Sequence, residues 1–312
     1  MKVPKTFIQK KGQEFDKKIY IKSKASKSLD ILLRSCEKFL EQQRITQGVE
    51  EKYNTGFKIA KDDHMWYTKL CYTKKDLQNL VGELTSYEEN DRYTGVYVSV
   101  LLNNIIQERD VIVLKPKAML TGLGTGLSKG TLIIKGDVAD NTGIYMSGGK
   151  IVIEGNARTG TGHCMAFGDI RVRGYAKGWT GYGMRGGRIT VSGNDGGFVG
   201  SHMQRGEIVI YGDAEECVGE FMSGGSILIK GSATKYSLGH FMMGGIISIE
   251  LDAGELTGSC MEDGLIIIGR DVGPLVGANS KGGEIRINGK IETTGQRCKA
   301  KVYQKGELVQ LT

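Results

Sequence analysis

The chain has 312 residues, of which 39% are apolar and 25% charged, with six cysteines and a formal net charge of +7. No apolar run reaches the ~18 residues of a membrane span. Residues 1–27 lack the apolar stretch of a secretory leader. Cys36, Cys71, Cys164, Cys217, Cys260 and Cys298 form no C-x-x-C pair, which points to reduced thiols in a cytoplasmic protein rather than to a disulfide framework or a zinc or iron–sulfur module.

The positive charge is local. Residues 1–27 hold nine Lys against Glu14 and Asp16, and the rest of the chain balances to zero. This composition describes a basic arm, solvated or seated on an acidic partner surface, and makes nucleic acid an unlikely partner. Residues 7–22 read as extended. Leu29, Leu32, Leu33, Cys36 and Leu40 recur at helical spacing and predict a helix over 28–44. Asp62, Asp63 and His64, ahead of Trp66 and Tyr67, read as a loop or a small polar site. Thr73 and Asp76 have capping-box spacing, followed by Leu77, Leu80, Val81 and Leu84. A third helix is expected over 94–109, with Val98, Leu101, Leu102 and Ile105 on one face. Residues 111–114 then read as a strand.

Five of the 47 glycines precede Lys117 and the other 42 follow it. The shift divides the chain into a mixed α/β region with its basic arm (1–116), a repeat domain (117–295) and a charged tail that closes the end (296–312). The repeat unit is G-x-I-x-I-x-G. It begins at Gly130, Gly149, Gly168, Gly187, Gly206, Gly225, Gly245, Gly264 and Gly283, stepping by 19 residues except for one step of 20 after Gly225. A second glycine column contains Gly143, Gly162, Gly181, Gly200 and Gly219. A methionine column contains Met165, Met184, Met203 and Met222, with Met146, Met242 and Met261 in the same register.

Paired aliphatics two residues apart face one side of a strand. A five-residue strand cannot bury that face alone, so each unit must stack on the next at about 4.8 Å. The glycine columns supply left-handed corners, and the methionines fill an interior edge. The unit contains no helical half-repeat, which excludes leucine-rich repeats. It has no six-residue sub-period, which disfavours a left-handed hexapeptide helix. The expected fold is mainly β: a right-handed, single-stranded parallel β-helix of about nine 19-residue coils.

The segments MSGGKIVIEGNA (146–157), MRGGRITVSGN (184–194) and VGEFMSGGSILIKGSA (218–233) resemble the GXGXG-motif β-helix family. That family includes the β-helix subunit of formylmethanofuran dehydrogenase and the C-terminal domain of the glutamate synthase large subunit. The resemblance covers about residues 121–289. FMMGG (241–245) and GLIIIG (264–269) look closer to the dehydrogenase member, and NDRYTG (90–95) resembles the entry to the glutamate synthase domain. Departures fall at Leu251, at the swapped Gly269 and Arg270, and at Asn279 and Ser280. The resemblance implies a right-handed helix that contributes no catalytic group, cofactor or metal of its own. Such a chain serves as a structural scaffold that docks the partner subunits of an oxidoreductase- or amidotransferase-type complex.

Other signals fall to the repeat. Gly181, Gly183 and Gly186 spell a dinucleotide fingerprint, but the next expected element is a repeat strand, not the helix that motif needs. Gly122–Gly126 yields to the same argument. His163, His202 and His240 sit near one corner with Cys164 and Cys260, yet on coils too far apart for one metal ion. The residues between the paired aliphatics, which face outward, run Ile133, Val152, Arg171, Thr190, Val209, Leu228, Ser248, Ile267 and Arg286. An aliphatic strip on a soluble surface marks contact, so Val209, Leu228 and Ile267 are expected to bind partner subunits or a second copy of the chain. A self-associating filament or homo-oligomer is the alternative. An enzyme with a site where the two regions meet is a third reading.

Overall fold

The computed structural model describes Leu32, residues 72–84 and residues 94–309. The basic arm, the extended segment 7–22, most of the helix expected over 28–44, and Asp62, Asp63 and His64 lie outside the described residues. Leu32 itself is helical and buried.

Besides Leu32, the described residues ahead of the repeat include two helices. Helix α1 (Lys74–Glu83) starts at the expected box: the Thr73 hydroxyl accepts from Asp76 N (3.2 Å), and the Asp76 carboxylate accepts from Thr73 N (2.9 Å). Helix α2 (Thr94–Ile105) stops short of the expected residue 109. The cause is local. The Asp110 carboxylate accepts from Gln107 N (2.7 Å) and pairs with Lys74 Nζ (2.5 Å), which fixes a turn where the helix would otherwise continue.

Eleven strands then stack in chain order as one parallel ladder. They are β1 (Val111–Leu114), β2 (Thr131–Ile134), β3 (Ser147–Ile153), β4 (Phe167–Val172), β5 (Arg185–Val191), β6 (Arg205–Ile210), β7 (Ser226–Ile229), β8 (Ile246–Ile249), β9 (Leu265–Ile268), β10 (Glu284–Ile287) and β11 (Lys301–Gln304). The result is a parallel β-solenoid. Its ladder is longer at both ends than the repeat: β1 lies ahead of the glycine-rich boundary at 117, and β11 lies in the tail. Strand β12 (Glu307–Leu308) folds back antiparallel on β11 and ends the parallel pairing. At the other end, α1 packs on β1, and Gln78 Nε2 donates to the Val113 carbonyl (2.9 Å), satisfying a backbone group of the first strand.

Register keeps like residues together. Ile151, Ile170, Ile189, Ile208 and Ile227 are successive ladder partners, as are Ile153, Val172, Val191, Ile210 and Ile229, and all are buried. Each such side chain contributes about 1.5–3 kcal/mol on burial, set against about 1–2 kcal/mol per residue of backbone ordering. The helices share this core: Leu77, Leu80, Leu101 and Leu102 belong to the same apolar cluster as the strands. The one 20-residue coil does not slip. Ser226 pairs with Ile246, Ala233 bridges Ala253, and the extra residue is taken up between them.

The two glycine columns are packing slots. A Cβ on Gly143 would lie 2.6 Å from Ile170 Cδ1 of the following coil, and Gly162, Gly181, Gly200 and Gly219 meet the matching isoleucine in the same way. In the other column, a Cβ on Gly187 would lie 2.6 Å from Met165 Cε of the coil before, and one on Gly225 would lie 2.7 Å from Met203 Cε. The seven methionines of the column (146, 165, 184, 203, 222, 242 and 261) are fully buried, each methyl seated over a glycine.

Candidate docking surface

With the interior filled by stacked side chains, the groups that vary lie outside. Strands β3–β6 carry an ordered charge ladder in which Lys150, Asp169, Arg188 and Glu207 are successive register partners of alternating sign. The Arg188–Glu207 pair closes to 3.5 Å. Exposed pairs of this kind add little energy individually, but the alternation opposes slippage.

The outward aliphatic column is not the exposed strip expected of it. Val209 is only 3% exposed, and Leu228 and Ile267 are half-buried. In an in-register parallel ladder each outward side chain has neighbours about 4.8 Å above and below and others two residues away on the same face. Val209 is short and stands between Thr190 and Leu228 along the stack, and between Glu207 and Tyr211 along its strand. The longer side chains wall it in.

A run of partly exposed rings lies instead at the corner that leads into the strands. Trp179 and Phe198 stack at 4.5 Å and 8°. His202 stacks on Phe221 (5.0 Å, 11°), and Phe221 on Phe241 (5.0 Å, 4°). Tyr182 joins these rows, with centroids 4.9 Å from His163, 5.3 Å from Trp179 and 5.1 Å from His202. Trp179 is 40% exposed and Phe241 39%. The ring spacing matches the rise of the solenoid, so the rings form a ladder along its axis.

These rings hold unfavourable backbone positions. Trp179, Phe198, His202, Phe221 and Phe241 all have φ between 51° and 58°, where a bulky residue costs roughly 1–2 kcal/mol. Gly160 and Gly183 occupy the equivalent positions on other coils. Aromatic residues therefore stand where the backbone favours glycine, and ring stacking offsets part of that cost at about 0.5–1.5 kcal/mol per pair. Sequence periodicity alone did not expose the ladder, because its rings come from three offsets of the repeat. The 19-residue spacing of Trp179 and Phe198, and of His202 and Phe221, was the available signal.

Among the described residues, the histidines and Cys164, Cys217 and Cys260 belong to this corner. Burial lowers the pKa of His163 and raises those of Cys164 and Cys217. His240 Nδ1 is 2.6 Å from Ser259 Oγ. Among the described residues, no three His, Cys, Asp or Glu side chains converge on a common point. Gly181, Gly183 and Gly186 lead into strand β5 rather than a helix.

A shallow groove beside the corner collects two departures from the repeat. It is lined by Asn156, Tyr175, Lys177, Asn194, Asp195 and Glu215, among others. Asp137, Asn156, Asn194, Asp213, Asp252 and Asp271 form a column in which each side-chain oxygen accepts a backbone N–H of the next coil, at 2.7–3.1 Å. Tyr175 interrupts that column. Asp195 interrupts the buried column of Ala157, Ala176, Ala214 and Ala233. It is 1% exposed; Oδ1 accepts from Gly197 N (3.1 Å), while Oδ2 and the Thr180 hydroxyl have no partner at hydrogen-bond geometry. Burial pushes the Asp195 pKa up to about 7, with the nearby Thr180 hydroxyl and the Gly197 N–H opposing the rise.

No family model matches the chain, and no curated protein matches it. No helix among the described residues is long and apolar enough to cross a membrane.

Proposed function

We propose that this chain is a non-catalytic scaffold of a cytoplasmic metabolic complex, and that its ring corner docks partner subunits. The carrying observation is the exposed ladder of aromatic rings, held in left-handed backbone positions that glycine occupies on other coils. Tyr, Trp and Arg dominate the contact energy of protein interfaces, and rings locked by stacking lose little entropy when a partner covers them. The sequence resemblance to the β-helix subunit of formylmethanofuran dehydrogenase and to the glutamate synthase β-helix domain supports the same reading, including right-handed coiling and a place in an oxidoreductase-type assembly. Under it, catalysis, cofactors and metals belong to the partner subunits. Val209, at 3% exposed, offers little area to a partner, so the docking role expected of Val209, Leu228 and Ile267 is proposed for this corner instead.

The test is co-purification of the full chain, with subunit masses by mass spectrometry and particle mass by light scattering. A stoichiometric partner is expected. The Trp179→Ala, Phe241→Ala double variant should lose it while melting within a few degrees of wild type. A homodimer with no second polypeptide would favour the self-associating alternative. Retention of the partner by the double variant would remove the ring corner from the docking role. The helical cover on β1 and the antiparallel β12 weigh against end-to-end filaments.

A further inference from the structure

Among the charged residues that face one another across the strand ladder, Lys150 with Asp169, Asp169 with Arg188, Arg188 with Glu207 and Glu284 with Lys301 are all of opposite sign. One pair breaks the rule: Arg185 of β5 lies directly opposite Arg205 of β6. Like charges in register destabilise a sheet. Both guanidiniums are exposed, and neither forms an ion pair with a described residue. The pair sits where β5 and β6 leave the ring corner, just after Gly183 and His202 respectively. On the strand below, Phe167 stands 67% exposed. Arg185 also lowers the pKa of Tyr145 and Cys164 slightly, against the larger rise from burial.

Resting on the docking proposal above, we infer that Arg185 and Arg205, with the rings beside them, seat an acidic segment of the partner protein. Two arginines on neighbouring strands, whose backbones lie about 4.8 Å apart, can each take a carboxylate in bidentate fashion. The rings point to the same sign of charge. They stack along the axis as one pair and one triplet, so each has at least one face against a neighbour and an edge turned outward. A ring edge is the positive part of its quadrupole, so the end of the ladder beside the arginine pair is electropositive with apolar character, while Glu216 and Glu220 lie further along, beside Cys217. Nucleic-acid bases would need free ring faces on which to stack; Phe221 has a ring on both faces, and Trp179, Phe198, His202 and Phe241 each have one face against a neighbouring ring. An Asp/Glu-rich segment with interspersed apolar side chains fits both features.

The probe is a fluorescein-labelled ten-residue peptide of alternating Glu and Tyr, titrated with the full chain and followed by anisotropy. A Lys–Tyr peptide, a thymidine oligonucleotide and phosphatidylserine vesicles serve as rivals. The Glu–Tyr peptide should bind, weaken as salt rises, and lose at least tenfold in affinity with the Arg185→Gln, Arg205→Gln double variant. Arg185→Glu should abolish binding and also raise the melting temperature, because the introduced carboxylate would pair with Arg205 in place of a repulsion. Three results would overturn the inference: no peptide binding, peptide binding unchanged in the Gln variant, or tighter binding of the oligonucleotide or the vesicles. Arginine-dependent peptide binding without any co-purifying polypeptide would retain this site and defeat the docking proposal. Loss of the partner in the ring variant, together with peptide binding indifferent to the arginines, would do the reverse.

Discussion

The interior of the solenoid and its ring corner are built on the same 19-residue lattice, yet they treat variation differently. Inside, each isoleucine is seated against a glycine of the coil before it, and each methionine methyl fills a slot over a glycine of the coil after it. A change on one coil is felt by two others, so these columns are nearly uniform. At the corner a side chain meets the coils above and below but keeps its outer edge toward solvent. There, Trp, Phe, His, Tyr, Cys and Gly alternate from coil to coil. In a stacked repeat, uniformity marks shared packing, and departures that carry a local cost mark the positions most open to other roles.

This contrast fails if the interior tolerates a charge. Met184→Asp would place one in a fully enclosed apolar column. A loss of about 5 kcal/mol or outright misfolding is expected from an uncompensated buried charge, measured by denaturant unfolding. A variant that melts like wild type would show that the methionine column is not the packed edge described above.

Asp195 offers a natural version of that substitution, with a pH signature. Its folded pKa is about 7, against about 3.9 in an unfolded chain. The folded state therefore binds more protons between these values. Stability from this site is fully present below about pH 4 and is lost as pH rises to about 7. At about 1.4 kcal/mol per unit, the penalty at pH 8 approaches 4 kcal/mol. Asp195→Ala, which restores the column, should stabilise the protein at pH 8 by up to that amount and little or not at all at pH 4. Unfolding curves at the two pH values decide the matter; equal effects at both would mean that the carboxyl does not titrate in the fold.

A smaller effect is expected at a slot. Gly162→Ala places a Cβ against Ile189 Cδ1 at a left-handed position, φ 69°. About 3 kcal/mol should be lost through backbone strain and overpacking together. Pairing it with Ile189→Val, which removes that methyl, should recover part of the loss in a double-mutant cycle. Complete additivity would place the strain in the backbone alone.

How much of this could be read in advance follows from the same contrast. The inward aliphatic pairs, the methionine column and the glycine corners repeat at one fixed offset, so Ile151, Met165 and Gly143 could be placed without coordinates. The ring ladder could not, because Tyr182, His202 and Trp179 occupy different offsets and meet only once the coil has turned. The enclosure of Val209 escaped for another reason: alternation assigns a face, whereas exposure depends on the length of the neighbours on that face. The early end of α2 turned on a competing side chain, Asp110, that periodicity does not weigh. Of the candidate site, the sequence marked the corner histidines but not the stacking around them or the facing arginines.

The 20-residue coil has a practical corollary for protein engineering. Between Ala233 and Ala253 the chain carries one more residue than its neighbours, and every ladder partner before and after stays in step. This bend thus works as an expansion joint: length added there is absorbed locally instead of passing up the stack as a register error. A tag, an epitope or a short reporter loop spliced beside Lys235 and Tyr236, both exposed, would ride on the outside of the solenoid, whereas the same insertion two residues into a strand would turn an aliphatic face toward water.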